Sequence, residues 1–285
     1  MSTVLPIDDA SVEGKQPWLL HTLTVNTLNF CSFAMTVDMQ LANESASAVE
    51  RTSGVLIAVP GVQDGYVNVI QLPSETRLAT IPSPKDVNTG MIMAIGICFS
   101  KGSLSVLAGY ESGHTAVWQK NKTEHWQTVY VNKPHSQPVL SLDSSKDLGC
   151  FFTSSADAVI ARHPLPGTNS DAKSLSTKHA VQQSLTVRSD DKIFATAGWD
   201  GRARVYSAKG MKELAVLKWH KEGCYAIAFA EIISESTPDT KHGENSDMIT
   251  GKNITVAEKR TAKATSTHWL AVGSKDGKVS LWEIY

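Results

Sequence analysis

Five stretches of this chain repeat one pattern, and that repetition limits the fold more than any other feature. They read VLIAVPGVQDGYVNVI, LSVLAGYESGHTAVW, CFFTSSADAVIARH, IFATAGWDGRARVY and WLAVGSKDGKVSLW. In each, a short apolar run meets a tight turn, and a second run ends on a large side chain. Aligned on the turn residue (Asp64, Ser112, Asp157, Asp200 and Asp276), the residue six places later is Ile70, Trp118, His163, Tyr206 and Trp282. The turns lie 48, 45, 43 and 76 residues apart. Such a spacing belongs to arrays of supersecondary units, each of which needs neighbours to cover its apolar face.

Asp-Gly at 64–65, 200–201 and 276–277 is strong hairpin chemistry, because glycine takes positive φ without steric cost. The flanking runs have strand length and strand composition. A further strand precedes each hairpin, at 28–35, 91–99, 138–145, 183–189 and 224–230, and an outer strand follows the first four, at 77–81, 125–131, 173–178 and 212–219. Four strands per unit describe a propeller blade. The expected fold is all-β, with repeats over about 26–82, 88–131, 135–178, 179–219 and 220–285.

The pattern resembles the WD-repeat family over nearly the whole chain. That resemblance implies a hydrogen-bonded network in each blade, made by a His before the first strand, a Ser or Thr on the second, the turn Asp and a Trp. His135, Thr153 and Asp157 fit, with His163 in the Trp position; His179, Thr196 and Asp200 fit, with Tyr206 there; His220, Asp276 and Trp282 fit, but Val272 takes the hydroxyl position. The first two repeats have Pro60 and Ala108 in place of the hydroxyl and no preceding His. His, Asp and Thr together also suggest a hydrolytic triad. A structural network accounts for them better, since it tolerates the loss of a member from some repeats and a catalytic centre does not.

Other chemistry is absent from the sequence. It holds no G-x-x-x-x-G-K-[ST] phosphate loop, H-E-x-x-H zinc helix or G-x-S-x-G nucleophile elbow. Lys plus Arg number 27 and Asp plus Glu 28, so the basic excess that phosphate neutralisation requires of a nucleic-acid binder is missing. No apolar run approaches the length of a membrane span. Cys31, Cys98, Cys150 and Cys224 are far apart and each sits in an apolar segment, the setting of a small buried hydrophobe in a reducing compartment. No cofactor and no metal is expected, and the chain reads as a non-catalytic binding protein.

Residues 18–25 (WLLHTLTV) look like the outer strands of the later repeats, while LWEIY ends after the third strand of the fifth. Two arrangements are open: a five-bladed ring closed by the N-terminal strand, or an N-terminally truncated seven-bladed propeller. KQPWLLHTLTVNTLNFCSFAM, GWDGRARVYSAKGMKELAVLKWH and WLAVGSKDGKVSLWEIY resemble the fungal ASTRA-associated WD-repeat proteins and the related animal G-protein-β-like WD protein, which are longer and seven-bladed. The resemblance favours truncation. It also implies a nuclear, chromatin-related scaffold in the ASTRA complex, with a kinase-like protein, cochaperones and AAA+ ATPases as partners, acting in chromatin remodelling and in the stability of kinase-like proteins.

Residues 1–16 and the insertion 231–267 read as disordered from composition, the latter either a tolerated surface loop or a tether around Lys259, Arg260 and Lys263. The residues just before the turn positions, which should share one rim, are Gln63, Glu111, Ala156, Trp199 and Lys275. They contain no acid–base pair. Trp199 and Lys275 are the candidate partner-binding rim, because aromatic side chains anchor interfaces. A Gβ-like signalling subunit and a propeller hydrolase are the competing functions; no heptad helix supports the first.

Overall fold

The computed structural model describes residues 19–23, 25, 30–38, 54–120, 125–145, 147–232 and 255–284. The expected disordered segment 1–16 lies outside them, as does 233–254 of the insertion.

Nineteen strands form five antiparallel sheets in chain order among the described residues. The first sheet holds β1 (Ala34–Val37), β2 (Val55–Pro60), β3 (Val67–Leu72) and β4 (Thr76–Ile81). The second holds β5 (Ile92–Ser100), β6 (Ser103–Tyr110), β7 (Thr115–Lys120) and β8 (Trp126–Asn132), and the third β9 (Val139–Ser145), β10 (Cys150–Ser155), β11 (Val159–Pro164) and β12 (Lys173–Ser176). The fourth holds β13 (Gln182–Val187), β14 (Ile193–Gly198), β15 (Arg202–Ser207) and β16 (Glu213–Lys218); the fifth has three strands, β17 (Cys224–Phe229), β18 (Trp269–Ser274) and β19 (Val279–Glu283).

Burial explains the repeated sequence. The second strands β10 and β14 are buried along their whole length, because each sheet has a neighbour on both faces, so they read as unbroken runs of apolar and small residues. Outer strands such as β4 and β8 are mostly exposed and carry the polar residues. Adjacent sheets enclose separate apolar clusters. Leu56, Val69 and Ile81 meet Ile95, Val106 and Trp118 between the first and second sheets, and Leu107 and Val117 meet Phe151 and Leu165 between the second and third. Phe152 meets Phe194 and Tyr206 between the third and fourth, and Ala195 and Val205 meet Ile227 and Leu270 between the fourth and fifth.

The innermost strands touch in the order β1, β5, β9, β13, β17. Side chains reinforce one of these contacts. Ser141 on β9 accepts the Leu185 N–H at 3.0 Å and donates to the Leu185 carbonyl at 3.3 Å, and Asp143 accepts the Val187 N–H at 2.8 Å. No comparable contact joins β17 to β1 among the described residues, so the sheets form an arc and not a closed ring. Its two end faces are apolar and uncovered: Phe33, Met35 and Val37 on the first sheet, Val279 and Leu281 on the fifth.

Of the two open arrangements, closure by an N-terminal strand is not seen among the described residues; His21 places its Nδ1 2.8 Å from Glu75 Oε1, at the β3–β4 turn of the first sheet. The insertion is not wholly irregular either, since Val256–Ser266 form helix α1. Its VAEKRTAKATS is built mainly of good helix formers, and Lys263 Nζ reaches Glu283 Oε2 at 3.2 Å. That ion pair links the helix to β19.

Candidate functional site

In the third sheet His135, Thr153 and Asp157 come together as expected, and His163 extends them into a chain. Asp157 Oδ1 lies 3.2 Å from His135 Nδ1, and His135 Nε2 lies 2.9 Å from Thr153 Oγ1. Thr153 Oγ1 is 3.0 Å from His163 Nε2, and His163 Nδ1 is 3.0 Å from the Tyr130 hydroxyl. A carboxylate can only accept, and that fixes every proton. His135 donates from Nδ1 to Asp157, Thr153 donates to His135, His163 donates from Nε2 to Thr153, and Tyr130 donates to His163. Both imidazoles must be neutral for this order to hold. Burial pushes His163 down to about 3, and burial also lowers His135 against the opposing pull of Asp157. Because Tyr130 belongs to β8, the chain bonds the third sheet to the second. Thr153 and both imidazoles are buried, and their polar atoms bond one another and their neighbours.

The fifth sheet keeps the same role with one residue moved. His220 Nδ1 is 3.3 Å from Asp276 Oδ2, and its Nε2 is 2.9 Å from Ser280 Oγ. Trp282 Nε1 donates to the same Ser280 oxygen at 2.8 Å. Val272 lacks a hydroxyl, but Ser280 is its direct cross-strand partner and supplies one from the opposite strand. The sequence pattern does not single out Ser280, because the repeat places its hydroxyl on the second strand and Ser280 lies across from it on the third.

The fourth sheet departs from the expectation. His179 does not bond Thr196 or Asp200; its carbonyl accepts from Gln182 Nε2 at 3.0 Å, and Gln182 Oε1 accepts the Thr196 hydroxyl at 2.7 Å. Arg204, the cross-strand partner of Thr196, occupies both oxygens of Asp200. Burial alone would raise the Asp200 carboxyl, but the guanidinium outweighs it and holds the group below its ordinary range. An amide that can both donate and accept, and a fork that fills the carboxylate, leave the imidazole nothing to join. Tyr206 stacks on Phe194, with centroids 5.1 Å apart, and serves the apolar core. In the second sheet Trp118 is buried with no hydrogen-bond partner for its Nε1 among the described residues, the cost of alanine at both 108 and 116.

Trp199 and Lys275 both lie against the loop at Gly223. Trp199 is half exposed, its Nε1 donates to Gln183 Oε1 at 3.0 Å, and its ring lies 5.7 Å from that of Tyr225. Gly223 lets the connecting loop approach, since a Cβ there would meet the Trp199 carbonyl oxygen at 3.2 Å. The Lys275 N–H donates to the Gly223 carbonyl at 2.9 Å. Tyr225 and Gln183 also border a cavity of about 250 Å³ lined by residues of β5, β9, β13 and β17, among them Met93, Ser141 and Ser184, and by Phe30 ahead of β1. Tyr225 thus lines this cavity, and Trp199 stands beside it through Gln183. Among the described residues no group of three His, Cys, Asp or Glu side chains is placed to hold a metal, and no helix is long and apolar enough to cross a membrane.

The model of the WD domain, G-beta repeat, matches residues 261–283. Along its whole length the chain is 44% identical to ASTRA-associated protein 1 of Aspergillus niger, covering 76% of that relative. The chain belongs to the ASTRA-associated protein 1 family. The Verticillium alfalfae member of this family is also 44% identical, with all of this chain and 71% of the relative aligned. A mouse guanine nucleotide-binding protein subunit beta-like protein 1 is 30% identical over 81% of the chain and 60% of its own length. Among solved structures the computationally designed protein Ika8 aligns with a TM-score of 0.51 at 16% identity, over 81% of this chain and 55% of that one; this likeness concerns the fold alone. The chain is a WD40 β-propeller protein of this family, with its five repeats arranged as an open arc.

Proposed function

We propose that the chain is a non-catalytic scaffold subunit of the ASTRA complex, working in the nucleus, where it supports chromatin remodelling and the stability of a kinase-like protein held with cochaperones and AAA+ ATPases. The observation that carries this reading is similarity along the entire chain to relatives named ASTRA-associated protein 1. The disposition of the polar residues supports it. The conspicuous His, Thr and Asp side chains of the third and fifth sheets bond one another, while the exposed aromatics Trp199 and Tyr225 stand together beside the cavity. Exposed aromatic side chains with a polar surround are what an interface uses as anchors.

Affinity purification of the tagged chain from its native host, followed by mass spectrometry, tests the reading. Kinase-like proteins and AAA+ ATPases are expected among the recovered proteins, in greater amount than with a folded Trp199→Ala variant. Their consistent absence overturns the assignment, and full recovery with the variant removes Trp199 from the interface.

A further inference from the structure

The rim shared by the fourth and fifth sheets has an unusual charge distribution around its aromatic side chains. Trp199, Trp219 and Tyr225 are all exposed there. Lys218, Lys221, Lys275, Lys278 and Arg202 are exposed on the same end of these two sheets. Arg202 and Lys218 are direct cross-strand partners, and like charges placed opposite one another destabilise a sheet. Lys278 holds its Nζ 5.8 Å from the Trp219 ring centroid, so one cation already sits on an aromatic face.

The carboxylates in this neighbourhood are fewer than the cations. Asp200 is occupied by Arg204, and Asp276 by His220 and the Lys278 N–H. Glu222 is the one exposed carboxylate left on this part of the rim among the described residues. On the first and second sheets the corresponding loops carry Asp64, Asp86 and Glu111 beside Lys85 and Lys133, so the excess of cations is concentrated at one end of the arc. A chain that is close to neutral as a whole has concentrated positive charge on two adjacent sheets.

We propose that this rim binds an acidic segment of a partner protein through one aromatic or aliphatic anchor. The anchor packs on the Trp199 and Tyr225 pair, and acidic residues beside it lie along Lys221, Lys275, Arg202 and Lys218. The proposal rests on the scaffold reading and names the chemistry of its partner. Three exposed aromatics give apolar contact that a bare polyanion would not use. The cations supply steering and register, as charge complementarity does at protein interfaces.

Fluorescence anisotropy on the full chain tests it, with a labelled peptide of about a dozen residues made of Asp and Glu around one central Phe. Binding is expected, weakening as salt rises and the Debye length shrinks. The double variant Lys221→Glu/Lys275→Glu should bind at least about tenfold more weakly, and Trp199→Ala should lose affinity for this peptide but little for one with Ala in place of Phe. Unchanged circular dichroism and thermal midpoint establish that each variant folds. Equal binding by the charge-reversed variant overturns the proposal. So does failure of the peptide to bind, or tighter binding of a DNA oligonucleotide of equal charge. Purification of the wild-type chain from its host remains an independent readout. Recovery of the assembly without peptide binding ends this proposal and leaves the scaffold reading standing, whereas peptide binding without the assembly does the reverse.

Discussion

At the scale of single residues, this protein keeps hydrogen-bonding roles and exchanges the residues that fill them. Ser280 does for Trp282 and His220 what a hydroxyl at 272 would do, and His163 stands where a Trp is expected while donating to Thr153 just as an indole would. The second sheet has no such replacement, which leaves Trp118 Nε1 buried and unbonded among the described residues. Ala116 has the same place relative to Trp118 as Ser280 has to Trp282, two positions earlier on the third strand of the sheet. Ala116→Ser should therefore raise stability by about 1 kcal/mol, and Ser280→Ala should lower it by about 1–3 kcal/mol. Urea unfolding of both variants measures this. The His163 imidazole gives a second expectation. Its folded pKa of about 3 lies below the ordinary 6.5, so below pH 6.5 the unfolded chain takes up a proton that the folded chain refuses. Stability must fall as pH drops from about 6.5 toward 3, by at most about 1.4 kcal/mol per pH unit from this group. The unfolding midpoint of His163→Phe should decline less steeply over that range; parallel curves would show that another group controls it.

At the scale of elements, what could be read from the sequence depended on whether local chemistry decided the structure. The β-hairpins were legible because Asp-Gly at 64–65, 200–201 and 276–277 places glycine at positive φ. The strands from β5 onward follow the expected segments closely. The first is shifted along the chain: among the described residues Ala34–Val37 pair with β2, starting late in the expected 28–35 and running two residues past it. Helix α1 was hidden because its composition resembles a mobile loop when its residues are counted without regard to helix propensity. Gln182 and Arg204 were hidden for another reason: which polar group satisfies Asp200 or Thr196 is settled by distances across strands, and spacing along one strand does not contain them. The bonds between β9 and β13 are also of this kind. Ser141→Ala removes a donor and an acceptor at once, leaving the Leu185 N–H without its partner, and should cost about 1–3 kcal/mol. Faster hydrogen exchange at Leu185, with little change in the outer strands, would locate the loss.

At the scale of the whole molecule, each sheet is stabilised by the one or two sheets beside it, as in other repeat architectures. The middle three have two neighbours, while the first and fifth each present apolar side chains to solvent. Native-state hydrogen exchange should accordingly be slowest in β6, β10 and β14 and faster in β2 and β18. Uniform exchange across the five sheets would mean that the arc opens as a single unit.

The arc also has a consequence for recognition. A partner seated across the fourth and fifth sheets would clamp an interior repeat to a terminal one. Ligand binding that favours the ordered state of the terminal repeat stabilises it by mass action. Occupancy would then be registered as a slower opening of the chain's C-terminal sheet, with little change at the other end.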